Sequence, residues 1–511
     1  MSEAADLVVT NAEVHTLGDP DETHEAMAVR DGRVVRLGTT YDVEFLAGAE
    51  TATLDAGSRV VLPGFVDAHT HLLNVGSSLV HADLSGATSP GEAVRLLEER
   101  ADEVDDDEWV LGFGYDESTW AESRYLTRDD LAAVSSFVPV VAFREDMHVA
   151  SVNDVVLDRL LHAMPDGDVL TEGGDPTGVV VEEAVDPVRE MIEPDAAEAR
   201  RLVEAAQEYA NERGVTGVHD MVRKSKLPGA YRAMDLDGDL TLRVRINYWA
   251  DHLDSLVDAG LRTNHGSEMV QVGAIKSFTD GSLGGRTAKL SAGYADARDE
   301  TGQWVVDPEA VADLVARADA AGFQVSLHAI GDAAVDAALD AYAGTDAPGE
   351  MRHRVEHAEL ASDEAIERFA DLGVVASMQP NFHKWGREDG LYDARLGDRR
   401  TDANRLPAYP EAGAPLAFGS DCMPLDPLFG VDQAVNAPTA AQSLGVTDAL
   451  RAYTLGAAYA GFDEDRVGTL EAGKRADFVL LDDSPWERSE AIADIDVALT
   501  AVDGDVVYDD R

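Results

Sequence analysis

The chain has a single cysteine, Cys422, in 511 residues, so no intrachain disulfide can staple it. No run approaches the roughly 20 apolar residues that cross a bilayer, which excludes a membrane-spanning helix. The opening Met1-Ser2-Glu3-Ala4-Ala5-Asp6 has neither the basic nor the apolar region of a secretory signal, and a cytoplasmic protein is expected. Positive charge is scarce. Lysine and arginine total 41 against 98 acidic residues, a formal net charge of −57. The only lysines are Lys224, Lys226, Lys276, Lys289, Lys384 and Lys474. Such a surface repels phosphate backbones, so nucleic acid is excluded as a partner. Acid spread along the chain with little lysine points to a halophilic protein, whose self-repulsion is screened once the Debye length falls to about 3 Å at 1 M salt. An acidic mesophilic protein is the alternative.

What is present is ordinary in bulk: 45% hydrophobic residues, in a length that calls for a large domain plus a smaller one. The first stretch, residues 1–58, reads as β, with a hairpin pattern around Asp31-Gly32. Residues 467–511 repeat the style, with Ala476–Leu481 as a strand and a second hairpin around Asp503-Gly504. Neither end holds a stable sheet alone, so both are expected to build one small β-sandwich.

Residues 59–466 alternate short apolar runs with helical stretches, the pattern of repeated β/α units. Strands are expected at Val60–Val66, Trp109–Phe113, Val215–His219, Val272–Phe278, Phe323–His328, His353–His357, Val374–Met378 and Pro415–Gly419. Val138–Phe143 competes for the second position. The fold class is α/β, a (β/α)8 TIM-like barrel, because ligand-type residues end several strands and a barrel gathers those ends at one mouth. An open doubly wound sheet would place its site at one switch point instead. The surplus length, at about 120–200, is read as an insertion covering that mouth.

The chemistry starts at Pro63-Gly64-Phe65-Val66-Asp67-Ala68-His69-Thr70-His71. Positions i and i+2 of a strand point the same way, so His69 and His71 can face one metal. Lys276 lies near the end of the fourth strand, His328 ends the fifth, His357 the sixth, and Asp421 follows the eighth. Imidazole and carboxylate donors suit Zn²⁺ and similar ions.

These motifs resemble the amidohydrolase superfamily, in its amidohydrolase-3, YtcJ-like branch, which includes N-substituted formamide deformylases. Besides the His69–His71 segment, the resemblance runs through Asp280-Gly281-Ser282-Leu283-Gly284, His328-Ala329-Ile330-Gly331-Asp332, Val355-Glu356-His357-Ala358, Gly419-Ser420-Asp421 and Gly468–Asp477. It implies two divalent metals, with zinc expected: His69, His71 and Asp421 on one, His328 and His357 on the other, and Lys276 bridging as a carbon dioxide-derived carbamate. One metal with an unmodified Lys276 is the alternative.

The expected activity is hydrolysis of a carbon–nitrogen bond in a small-molecule amide, with Asp421 as general base and then general acid. A heterocyclic-amine deaminase, and a binding barrel without turnover, are the rival readings. His219 is a candidate to polarise the carbonyl, with a structural histidine as the equal alternative. His148, Asp280 and Arg286 are candidates for the substrate side, the last two also for fixing loops. Trp120, Phe143, Trp304, Phe382 and Trp385 are candidate pocket aromatics. A homodimer is compatible with the sequence.

Overall fold

The computed structural model describes residues 4–104, 108–145, 147, 149–223 and 225–511. The chain divides into two compact units, one of Met1–His71, Gln207–Lys224 and Tyr231–Arg511, the other of Leu72–Ala206 and Ser225–Ala230.

The first unit contains an eight-stranded parallel sheet: β1 (Phe65–Thr70), β2 (Val215–Val222), β3 (Arg243–Trp249), β4 (Val270–Phe278), β5 (Val325–Ala329), β6 (Arg354–His357), β7 (Val375–Met378) and β8 (Leu416–Phe418). Each strand pairs with the next in this order. The two outer strands return to one another beyond their ladders, where the Asp421 N–H donates to the His69 carbonyl at 2.8 Å. The Ser420 N–H donates to the Asp67 carboxylate at 3.1 Å. This is the expected TIM-like barrel.

Two strand assignments are corrected. Trp109–Phe113 is not the second barrel strand: its place is taken by the strand carrying His219, and β3, which is not among the expected strands, follows it. The sequence of β3, Arg-Val-Arg-Ile-Asn-Tyr-Trp, alternates charge with apolar residues and reads as a half-solvated segment. Both arginines are instead buried and paired. Arg243 donates to Asp477 at 2.6 and 2.9 Å and to Asp503 at 2.7 Å. Arg245 donates to Asn264 and Asp463 at 2.7 and 3.0 Å. The second correction divides Val60–Val66 at Gly64. Val60–Pro63 pairs antiparallel with Phe478–Leu481, and Phe65 opens β1. A Cβ on Gly64 would fall 2.4 Å from the Thr216 side chain, so only glycine lets the chain cross here.

Val60–Pro63 and Phe478–Leu481 belong to a six-stranded sheet that holds segments from both chain ends. A four-stranded sheet of Ala5–Thr10, Ala26–Arg30, Arg33–Gly38 and Ala47–Asp55 packs on it. Val9, Val14, Met27, Val34, Val61, Phe478 and Leu480 form the shared core of this small sandwich.

The second unit begins at Leu72, well before residue 120, and has its own six-stranded sheet that includes Val110–Tyr115 and Val140–Arg144. Alternation along Val140–Arg144 sends Val141 and Phe143 into one apolar cluster and Val140 and Ala142 into another. Phe143 and Trp120 are therefore core residues of this unit, not lining of a barrel pocket. Among the described residues, no helix is long and apolar enough to cross a membrane.

Candidate metal centre

His69 and His71 stand at the end of β1, with side chains on the same side of the strand. The His69 Nδ1 lies 2.6 Å from Glu356 Oε2, which turns Nε2 toward Asp421. Asp421 Oδ1 is 3.3 Å from His71 Nε2 and 3.6 Å from His69 Nε2. Ligand atoms of these three residues all lie within 4.8 Å of one another, close enough to share one ion.

The imidazoles continue from there. The His69 and His357 ring centroids are 5.1 Å apart, and those of His357 and His328 are 4.5 Å apart. His328 has Nε2 at 3.0 Å from the Gly281 carbonyl, leaving Nδ1 for the centre. Lys276 is buried at the level of these rings, with Nζ 5.4 Å from the Phe278 ring centre.

The backbone shows what this convergence demands. His357 and Asp421 both adopt left-handed conformations, with φ of 72° and 53°. Such values are uncommon outside glycine and persist where surrounding structure over-determines them. At β6 the turn lets Glu356 and His357, neighbours in sequence, both serve the centre. At β8 the close approach needs Gly419, whose Cβ would lie 2.3 Å from the His69 nitrogen.

At His71 burial opposes protonation, but the hydrogen bond and charge of Asp421 outweigh it and raise the group; at the other three imidazoles burial dominates. It pushes His328 down to about 3, helped by the Lys276 charge, and holds His69 and His357 below the ordinary imidazole value. Neutral imidazole is the ligating form. Burial also lowers Lys276 to about 8, although Glu356 and Asp421 oppose it. For Asp421, burial raises the carboxyl, but His69 and the bond to His71 outweigh it and keep the group ionised.

The donor set fits a divalent metal. Two buried nitrogens in the centre, Lys276 Nζ and His357 Nδ1, have no hydrogen-bond partner among the described residues. An unsatisfied buried polar group costs about 1–3 kcal/mol, a cost that coordination removes.

The other sequence candidates have different surroundings. His219 accepts from Arg354 Nη1 at 2.8 Å, and its Nε2 abuts Gly461, so it packs beneath the histidine cluster. Asp280 is fully buried and its carboxylate accepts from the N–H groups of Lys289, Ile330 and Gly331 at 2.7, 3.0 and 2.9 Å. It therefore ties the loop after β4 to the end of β5, the loop-fixing alternative. Arg286 pairs with Asp296 at 2.7 Å. His148 lies outside the described residues.

Two residues that the sequence reading missed support the candidate ligands. Glu356 is fully buried, accepts from Ser326 Oγ at 2.7 Å, and lies at ion-pair distance, 2.8 Å, from Arg354 Nε. Such carboxylate–histidine pairs orient metal ligands. Its adjacency to His357 was the only signal. Asp67, two residues before His69, accepts from the His69 and Ser420 N–H groups at 3.0 and 3.1 Å and fastens β1 to the loop after β8.

The chain resembles known proteins over nearly its whole length. The amidohydrolase family model matches residues 52–508. The chain is 28% identical to the protein YtcJ of Bacillus subtilis, covering 97% of this chain and 98% of that one. It is 27% identical to the N-substituted formamide deformylase of Arthrobacter pascens, covering 100% and 99%. A crystal structure of an uncharacterized metal-dependent hydrolase from Pyrococcus furiosus superimposes with a TM-score of 0.81 at 31% identity, covering 94% of this chain and 99% of that one.

Proposed function

The chain belongs to the amidohydrolase family and is a metal-dependent hydrolase of carbon–nitrogen bonds; from that premise we propose that its substrate is a non-peptide amide, with an N-substituted formamide as the leading choice. The formamide reading is supported by the similarity to the deformylase over the whole chain. The observation that carries the chemistry is Asp421 Oδ1, set 3.3 Å from His71 Nε2 and 3.6 Å from His69 Nε2.

Two zinc ions would be held by His69, His71 and Asp421 on one side and by His328 and His357 on the other, with Lys276 between them. When bound, they supply Lewis acidity and a water of lowered pKa. The protein supplies the rest. Asp421 takes the proton of the attacking water and returns it to the departing nitrogen, so the amine leaves neutral. Glu356 holds His69 in the tautomer that presents Nε2. His69, His328 and His357, which burial holds below the ordinary imidazole value, stay neutral and do not compete with Asp421 for the proton.

Lys276 is assigned as a carbamate. An ammonium beside two dications is disfavoured, whereas a neutral amine that forms an N–C bond to carbon dioxide and releases a proton becomes an anion with two oxygen donors. Lys276→Ala is expected to lose activity and to regain part of it with short carboxylic acids. A crystal structure with metal and bicarbonate that shows an unmodified Lys276 turned from the centre contradicts the assignment.

The substrate reading is tested by offering the metal-loaded enzyme formamides, N-acyl amino acids and cyclic amines at high salt. Release of amine from formamides is the expected result. Ammonia released from heterocyclic amines, with every amide untouched, would instead establish a deaminase.

A further inference from the structure

A line of rings runs from the metal centre across the ends of three strands to an exposed arginine. Phe278, the last residue of β4, lies 4.6 Å from His328 between ring centres. Trp249, the last residue of β3, lies 5.4 Å from Phe278. Arg223, one residue past β2, places its Cζ 5.7 Å from the Trp249 ring centre. Phe278 and Trp249 are half-buried, and Arg223 is exposed.

Arg223 belongs to the minority of arginines in this chain without a carboxylate partner among the described residues, and it is the one that ends this line of rings. Acids outnumber bases 98 to 41, and most arginines are paired, yet among the described residues Arg223 has no carboxylate within ion-pair distance. The guanidinium lies over the Trp249 ring in a cation–π contact, and its N–H edge makes no hydrogen bond among the described residues. That edge matches a carboxylate, which two parallel N–H donors can bind. The run of tilted rings between Arg223 and His328 offers apolar contact that suits a ring or a short apolar stem.

We infer that the substrate is an amide whose stem is aromatic or apolar and ends in a carboxylate, with the stem along Trp249 and Phe278 and the carboxylate on Arg223. This rests on the proposed amide hydrolysis at the adjacent centre. Arg223 then sets specificity and takes no part in bond cleavage. In a protein of net charge −57, a cation without a carboxylate partner at the end of an apolar track also selects among anions, because an anion lacking a group for Arg223 meets only repulsion from the surrounding field.

Binding separates this inference from the reaction. Calorimetry on the metal-loaded enzyme compares 4-(aminomethyl)benzoate with benzylamine, the amines that the matching formamides would release. The acid should bind about tenfold more tightly, the low end for a hydrogen bond to a charged group. Arg223→Gln should abolish that preference, and Arg223→Lys should keep only part of it because the bidentate edge is lost. Equal affinities, no binding of the acid, or a preference that survives Arg223→Gln would overturn the inference. Turnover of the two parent formamides is measured beside it. Hydrolysis without the carboxylate preference sinks the Arg223 assignment alone, whereas an Arg223-dependent preference without hydrolysis sinks the formamide reading alone.

Discussion

Asp421→Asn should keep its metal and lose at least about a hundredfold in kcat, close to 2.7 kcal/mol of barrier. Asparagine has the same shape and retains one oxygen donor, but it cannot accept a proton from water or return it to nitrogen. The backbone around it supports a clean comparison. The Asp421 N–H is held by the His69 carbonyl at 2.8 Å and the residue sits at φ 53°, a conformation that asparagine tolerates better than most residues. The side chain should therefore stay in place, and metal content with kcat on one sample checks both halves. A variant that loses metal, or one within about threefold of the parent rate, contradicts the proton-shuttle role.

The second large effect is expected from His69→Ala combined with His71→Ala. Bound metal should fall to about a tenth or less by elemental analysis, and hydrolysis should fall to background. The fold should survive, because Glu356 remains beside Arg354 at 2.8 Å and is not left as an unpaired buried charge. A thermal melt establishes that the variant is folded. Full metal occupancy in a folded double variant contradicts the ligand assignment.

The parts of the centre that were legible in the sequence are those written in short contiguous motifs. His69-Thr70-His71 uses strand periodicity, His328 closes an apolar run, His357 ends a short segment after a helix, and Asp421 follows Leu416–Phe418 by a Gly-Ser step, so strand ends and candidate ligands could be read together. What escaped was interior charge. Arg243, Arg245, Arg354 and Glu356 lie in barrel strands but are buried against partners distant in sequence, such as Asp477 for Arg243 and His69 for Glu356. Their charges made β3 look solvated and hid the support under His69. His219 illustrates the converse. It ends an apolar run as the ligands do, but Arg354 claims its Nδ1. Aromatic residues were ambiguous for a similar reason, since Trp120 and Phe143 fill the core of the second unit while Trp249 and Phe278 stand at the barrel rim.

The central claim is that one buried centre, built from His69, His71, Lys276, His328, His357 and Asp421, performs metal-dependent amide hydrolysis. Titrating the chelator-stripped wild-type enzyme with Zn²⁺ while following hydrolysis of an N-substituted formamide tests it most directly. Without metal no hydrolysis is expected, and activity should rise with bound metal up to two ions per chain. Full activity in the metal-free protein would contradict it.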